Sequence, residues 1–201
     1  MSISIGISSG TSLSTSFYLR KYYSNNQNAS KSSTRKGFSA AELAFEDSRA
    51  LTRAANILSK TDYTSKYQSE NSKETTNDED IDDSTRASIE AFVETYNNAI
   101  TSGKKSGDRE TNRYIRQLNT LSKKHADELE DIGITINHDG TLKINKELLK
   151  TADKTKAQSL LSPEKEYSKK LYRIARKMNG AAQDHIRALA NLQNMHFDVS
   201  L

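Results

Sequence analysis

The stretch Ile132-Gly-Ile-Thr-Ile-Asn-His-Asp-Gly-Thr-Leu-Lys-Ile-Asn145 is the one part of this polar chain that does not repeat like a helix. Its apolar residues alternate, with Ile134 and Ile136 before an Asp139-Gly140 pair and Leu142 and Ile144 after it. Two runs of period two around a turn signal predict a β-hairpin. A two-residue loop, Asp139-Gly140, would set Ile136 opposite Lys143 and Ile134 opposite Asn145, mixing apolar and polar partners on one face. A three-residue loop, His138-Asp139-Gly140, pairs Ile136 with Leu142 and Ile134 with Ile144. It also puts Gly140 at the loop position that needs a left-handed backbone, so side-chain pattern and turn chemistry choose the same register. A lone two-stranded hairpin is marginal in water, and this one must lay its apolar face on helices.

Outward from the hairpin the period becomes helical. Before it, Tyr114, Ile115, Leu118, Leu121, His125, Leu129 and Ile132 follow steps of three and four, predicting one helix from about Arg109 to Asp131 with a coiled-coil-like seam. After it, Asn145 can cap a short helix from Lys146 to about Ala152, and a second short helix is expected from Ala157 to Leu161. Ser162-Pro163-Glu164 reads as the start of the last long helix, with Ser as cap and Pro at the first helical position, where its missing N–H costs nothing. The seam of that helix is Tyr167, Leu171, Ile174, Ala175, Met178, Ala181, Ala182, His185, Leu189, Leu192 and Met195, weakened by about 1 kcal/mol at Gly180 relative to Ala.

Towards the N-terminus, Ser102-Gly-Lys-Lys-Ser-Gly-Asp108 is expected to be a loop. The helix before it is capped by Asp83 or Ser84 and buries Ile89, Phe92, Val93, Tyr96 and Ile100. Ser39 and Glu42 form a capping box, with Phe38 stapled on Leu43, for a helix that fades near Tyr67 and buries Leu43, Ala44, Ala50, Leu51, Ala54, Ala55, Ile57 and Leu58. Residues 68–83 hold seven acids against Lys73 and are taken as a linker, while residues 1–37, basic and rich in Ser, Thr and Asn, are taken as a disordered arm. The expected fold is therefore mainly α: an elongated helical bundle with coiled-coil-like hairpins and one β-hairpin at about 134–144, in which 38–67 packs with 84–201 as one domain.

Composition narrows the function. The 201 residues include no Cys, which excludes disulfides, Cys-ligated metals and thiol nucleophiles, and the four histidines, His125, His138, His185 and His196, have no metal-ligand spacing. No secretory leader pattern or membrane span is evident, and no aromatic-interleaved basic face points to nucleic acid. No phosphate loop, nucleophile elbow or zinc-protease motif occurs, so no catalytic, cofactor-binding or metal residues are assigned and an enzyme is not expected. Asn28-Ala29-Ser30 fits a glycosylation sequon, a three-residue pattern common by chance.

Ala91-Phe-Val-Glu-Thr-Tyr-Asn-Asn-Ala-Ile100, then Leu129-Glu-Asp-Ile-Gly-Ile-Thr-Ile-Asn-His-Asp-Gly-Thr-Leu-Lys-Ile-Asn-Lys-Glu-Leu-Leu-Lys-Thr-Ala152 and Ser159-Leu-Leu161, resemble the C-terminal region of bacterial flagellar hook-associated protein 2, the filament-capping family. The resemblance runs from Ile89 towards the end of the chain and is most specific in the hairpin element, residues Ile134, Ile136, Gly140, Leu142 and Ile144. It implies a non-enzymatic, extracellular protein of the flagellum, exported through the flagellar channel without a cleaved signal and sitting as a ring at the filament end. Implied partners are further copies of the chain, flagellin or other axial proteins, and a dedicated export chaperone, with no membrane insertion. Where capping proteins carry large globular domains this chain has only the acidic stretch, so the resemblance is to the helical leg. Leu189, Leu192 and Met195, with the N-terminal arm, are the expected sites of contact between copies. A secreted or surface adhesion module that keeps this helical fold, and a cytosolic coiled-coil adaptor or export chaperone, are the alternatives.

Overall fold

The computed structural model describes residues 35–61, 81 and 83–195, with the side chains of Lys36 and of residues 192–195 not among those described. The N-terminal arm and the acidic stretch up to Asp80 thus lie outside the described residues, apart from a single 3₁₀ turn at Arg35–Gly37. The chain divides into two units, Met1–Gly37 and Phe38–Leu201, and every α-helix and strand among the described residues belongs to the second.

Seven α-helices and a two-stranded antiparallel sheet are described there: α1 Ala40–Lys60, α2 Asp83–Ser106, α3 Arg109–Lys124, α4 Ala126–Asp131, β1 Ile134–Ile136, β2 Leu142–Ile144, α5 Lys146–Lys150, α6 Lys154–Leu161 and α7 Glu166–Met195. The mainly α fold with one small hairpin is as the sequence predicts. The four long helices close into a ring, because α1 packs on α2 and α7 while α3 also packs on α2 and α7. Helices α3 and α7 run antiparallel: Lys124 at the end of α3 meets Glu166 at the start of α7, at 2.8 Å, and Asp108 before α3 faces His185 late in α7. Inside the ring lie Leu51, Leu58, Phe92, Tyr96, Ile100, Leu118, Leu171 and Met178, all essentially inaccessible to water. At roughly 25 cal/mol per Å² of apolar surface, this shared core is the main source of stability.

Helix α1 opens as its cap predicts. Ser39 Oγ accepts from the Glu42 N–H at 3.3 Å, and Glu42 Oε2 accepts from the Ser39 N–H at 2.7 Å. Phe38, expected to staple this end, stays half-exposed at 49%. The helix stops at Lys60 rather than near Tyr67, since Thr61 turns extended (φ −63°, ψ 130°) and its hydroxyl and N–H bond back to Ile57 and Leu58 carbonyls.

Further boundaries differ from the sequence reading, most of them for a tertiary reason. Ile81, counted as linker, is fully buried and donates its N–H to the Ala152 carbonyl at 3.2 Å, so this residue belongs to the core. The expected loop 102–108 is helical through Ser106, and only Gly107 (φ 71°) and Asp108 separate α2 from α3. Propensity is overridden because Gly103 lets three helices converge: an added Cβ would lie 2.7 Å from Ile115 Cδ1 and 2.8 Å from Met178 Cε. The predicted helix 109–131 breaks at His125 (φ −111°, ψ 31°), which turns α4 away from the bundle and onto β1 and α6. Finally, α7 begins at Glu166 and not at Pro163. Residues 162–165 form a turn closed by the Lys165 N–H on the Ser162 carbonyl, and Ser168 Oγ, inside α7, donates to the Leu161 carbonyl of α6 at 2.5 Å. The short helices run Lys146–Lys150, ending before the expected Ala152, and Lys154–Leu161, starting before the expected Ala157 because Asp153 caps it by accepting from the Thr155 N–H; Asn145 caps the first as predicted.

Candidate functional site

The hairpin forms in the register the side-chain pattern demands: Ile134 opposite Ile144 and Ile136 opposite Leu142. The Gly140 N–H bonds the Asn137 carbonyl at 3.0 Å, the Asn137 N–H bonds the Thr141 carbonyl at 2.8 Å, and Gly140 adopts φ 86°, the left-handed residue of the predicted three-residue loop. Asp139 stiffens the loop by accepting from the Thr141 N–H and hydroxyl at 2.9 and 2.6 Å, and these bonds hold its carboxyl below the usual range. Ile134 and Leu142 are buried, Ile136 and Ile144 pack half-buried against the same core, and Thr135 and Lys143 face solvent.

Helices α2 and α3 hold this hairpin with polar side chains that sequence reasoning did not single out. Asn97 of α2 donates from Nδ2 to the Leu142 carbonyl at 2.8 Å and accepts at Oδ1 from the Leu142 N–H at 2.7 Å, so one side-chain amide pairs with β2 as a neighbouring strand would. Lys104 reaches the Asp139 carbonyl at 2.6 Å from the same helix. Asn119 of α3 lies so close to the loop that a Cβ on Gly140 would come within 2.5 Å of its amide. The signal available in the sequence was Asn97 itself, a polar residue one position from the buried Tyr96 and four from Val93, where an unpaired amide would be costly.

Beneath the hairpin seat the bundle contains a buried polar cluster. Tyr96 OH lies 3.2 Å from Ser122 Oγ and 3.4 Å from Asn119 Oδ1, and burial pushes its phenol up to about 12 against the opposing Ser122 bond. Tyr167 packs edge-on to His125, 5.4 Å between ring centroids, and burial raises its phenol too. His125 Nδ1 faces Glu128 at 3.2 Å, at the break between α3 and α4. This cluster joins α2, α3, α4 and α7, and within it His125 Nε2 and the Tyr167 hydroxyl are buried without a hydrogen-bond partner.

At the other end of α3, Asp108 Oδ2 caps the helix by accepting from the Thr111 N–H at 2.7 Å, and its Oδ1 stands 3.8 Å from His185 Nδ1. Burial pushes the Asp108 carboxyl up, but the hydrogen bonds from Thr111, the charge of His185 and the Glu110 N–H together outweigh it and leave the group below its usual range. Past Ala182 the apolar seam of α7 leaves the bundle. His185 is only partly covered and Leu189 is 40% exposed, so the predicted seam ends short of the helix. Leu192 and Met195 lie in the same helix, with their side chains outside the described residues.

Of the predicted residues, the structure thus brings Ile134, Ile136, Gly140, Leu142 and Ile144 into one seat on α2 and α3, and leaves Leu189 apart from them on the exposed end of α7. Among the described residues no group of His, Asp and Glu is arranged to hold a metal, and no helix is long and apolar enough to cross a membrane. Comparison of the chain with family models, with curated proteins and with solved structures gives no match.

Proposed function

We propose that the chain is a non-enzymatic structural protein of the bacterial flagellum, a short form of the helical leg of the filament cap. It is exported through the flagellar apparatus, self-associates, and contributes to assembly at the filament end or to motility. The observation that carries this reading is the bond between Asn97 and Leu142. Two of the stretches on which the resemblance rests, 91–100 and 129–152, are separate in sequence, and they meet through residues belonging to those stretches. A unit built on such mutual packing serves as scaffold, and its rigid polar contacts point to holding shape rather than to turnover. The exposed Leu189 in the last turns of α7 gives the scaffold an apolar contact to offer a neighbour.

Fractionation of wild-type and export-deficient cells tests the reading. The expected result is protein in the medium and filament fraction of wild-type cells and its loss from both when the flagellar export apparatus is deleted. Secretion that persists without the apparatus would overturn it in favour of an adhesion module, and retention in the cytosol of wild-type cells in favour of an adaptor or export chaperone.

A further inference from the structure

One side of the ring of four helices carries a basic groove. There, α3 and α7 leave an open groove of about 420 Å³ with Leu121 and Ile174 at its floor and Arg113, Arg116, Lys124 and Lys170 around it. Glu166 bonds both Lys124 and Lys170, at 2.8 and 2.6 Å, and Glu110 stands 3.4 Å from Arg113. Four cations therefore face two carboxylates, and Arg116 is exposed without a carboxylate partner among the described residues. The excess charge sits beside an apolar floor, a combination that suits an acidic polypeptide segment better than a small anion, which needs converging donors and no floor.

The opposite side of the ring is the α1–α2 edge, where the chain leaves α1 at Thr61 and returns at Ile81. The sequence between these points carries Asp62, Glu70, Glu74, Asp78, Glu79 and Asp80 against Lys66 and Lys73. Its charge complements the groove, but its two attachment points are on the far side of the bundle. The α5–α6 segment is bonded to Ile81 through the Ala152 carbonyl and packs through α6 on α7. We infer that the α3–α7 groove is the docking site for the acidic stretch, residues 70–80, of a second copy of the chain. The groove and the points where the stretch joins the bundle, Thr61 and Ile81, lie on different sides of each copy, so the contact is heterologous and copies add head to tail, closing into a ring or continuing as a file. This contact is separate from the α7 end and does not depend on the flagellar reading.

The absence of native cysteine allows a direct test. Thr120 lines the groove and is exposed, its hydroxyl bonded to the Arg116 carbonyl of its own helix, and Asn77 lies among the acids of the stretch. Full-length T120C and N77C chains are mixed under mild oxidation and their disulfide dimers resolved by non-reducing electrophoresis. The mixed dimer is expected to form about ten-fold faster than either homodimer, because groove repels groove and stretch repels stretch, and about 0.5 M salt should remove the preference. The chain carrying both substitutions should give linked multimers at concentrations where single-substitution chains pair. An internally bridged monomer from that chain would show docking within one molecule and overturn the proposal. Equal rates for mixed and like dimers, or a preference untouched by salt, would overturn it as well.

Discussion

The side-chain amide of Asn97 pairs in both directions with the backbone of Leu142, 45 residues away, at 2.8 and 2.7 Å. Only an amide offers a donor and an acceptor at that spacing, and the bonding pattern itself fixes which way the amide points. Asn97→Leu would leave the Leu142 N–H and carbonyl without partners beside a buried side chain, at a cost of roughly 2–4 kcal/mol for the two groups. Asn97→Asp keeps the acceptor but sets a carboxylate against the carbonyl. Urea unfolding should rank wild type above N97D and N97D at or above N97L; a loss under about 0.5 kcal/mol in N97L would show that the pairing does not hold the hairpin.

Gly140 carries two separable constraints, its φ of 86° and the closeness of Asn119. Gly140→Ala should therefore destabilise by more than the roughly 1–2 kcal/mol of a left-handed alanine. In the Asn119→Ala background the same substitution should cost only that backbone part. A double-mutant cycle by chemical denaturation measures the difference, and a coupling near zero would mean the loop moves off α3 freely.

Gly180 lies in mid-α7 with nothing within 4 Å of an added Cβ. Replacing it with Ala should raise stability by about 1 kcal/mol through helix propensity alone. The contrast is Gly103→Ala, which drives a methyl against Ile115 and Met178 and should lower stability. Thermal unfolding of the pair checks both signs.

Acid should unfold the protein through its caps. The folded-state carboxyl of Asp108 titrates below its ordinary value of 3.8, so its contribution is complete above that value and fades as pH falls through and below it. Asp139 and Asp153 behave in the same sense, held down by bonds from Thr141 and Thr155. Asp108→Asn retains a capping oxygen and should match wild type near neutrality within about 1 kcal/mol. Its stability should fall less steeply than wild type below pH 3.8, and equal acid slopes would show that Asp108 has no part in the acid transition.

Leu189→Asp places a charge on the exposed end of α7 and should leave unfolding within about 0.5 kcal/mol of wild type. If that end joins copies, light scattering will show a lower mass for the variant at the same concentration. Unchanged mass would confine self-association to other surfaces.

The hairpin and the caps at Ser39 and Asn145 were legible in the sequence because their causes are local. Alternation and Gly140 select one register, Ser39 and Glu42 fit one capping geometry, and steps of three and four give the buried faces of α1, α2 and α7. What only the tertiary structure decided were the places where packing outweighs local preference. Gly103 stays helical because three helices meet there, and Ile81 leaves an acidic stretch to fill the core. His125 ends α3 so that Leu129 and Ile132 can turn with α4 towards β1 and α6, and Asn97 finds a strand to pair with 45 residues away. Propensity differences of about 1 kcal/mol per residue decide an isolated segment, whereas a fully buried apolar side chain contributes about 1.5–3 kcal/mol, so contacts distant in sequence set those boundaries.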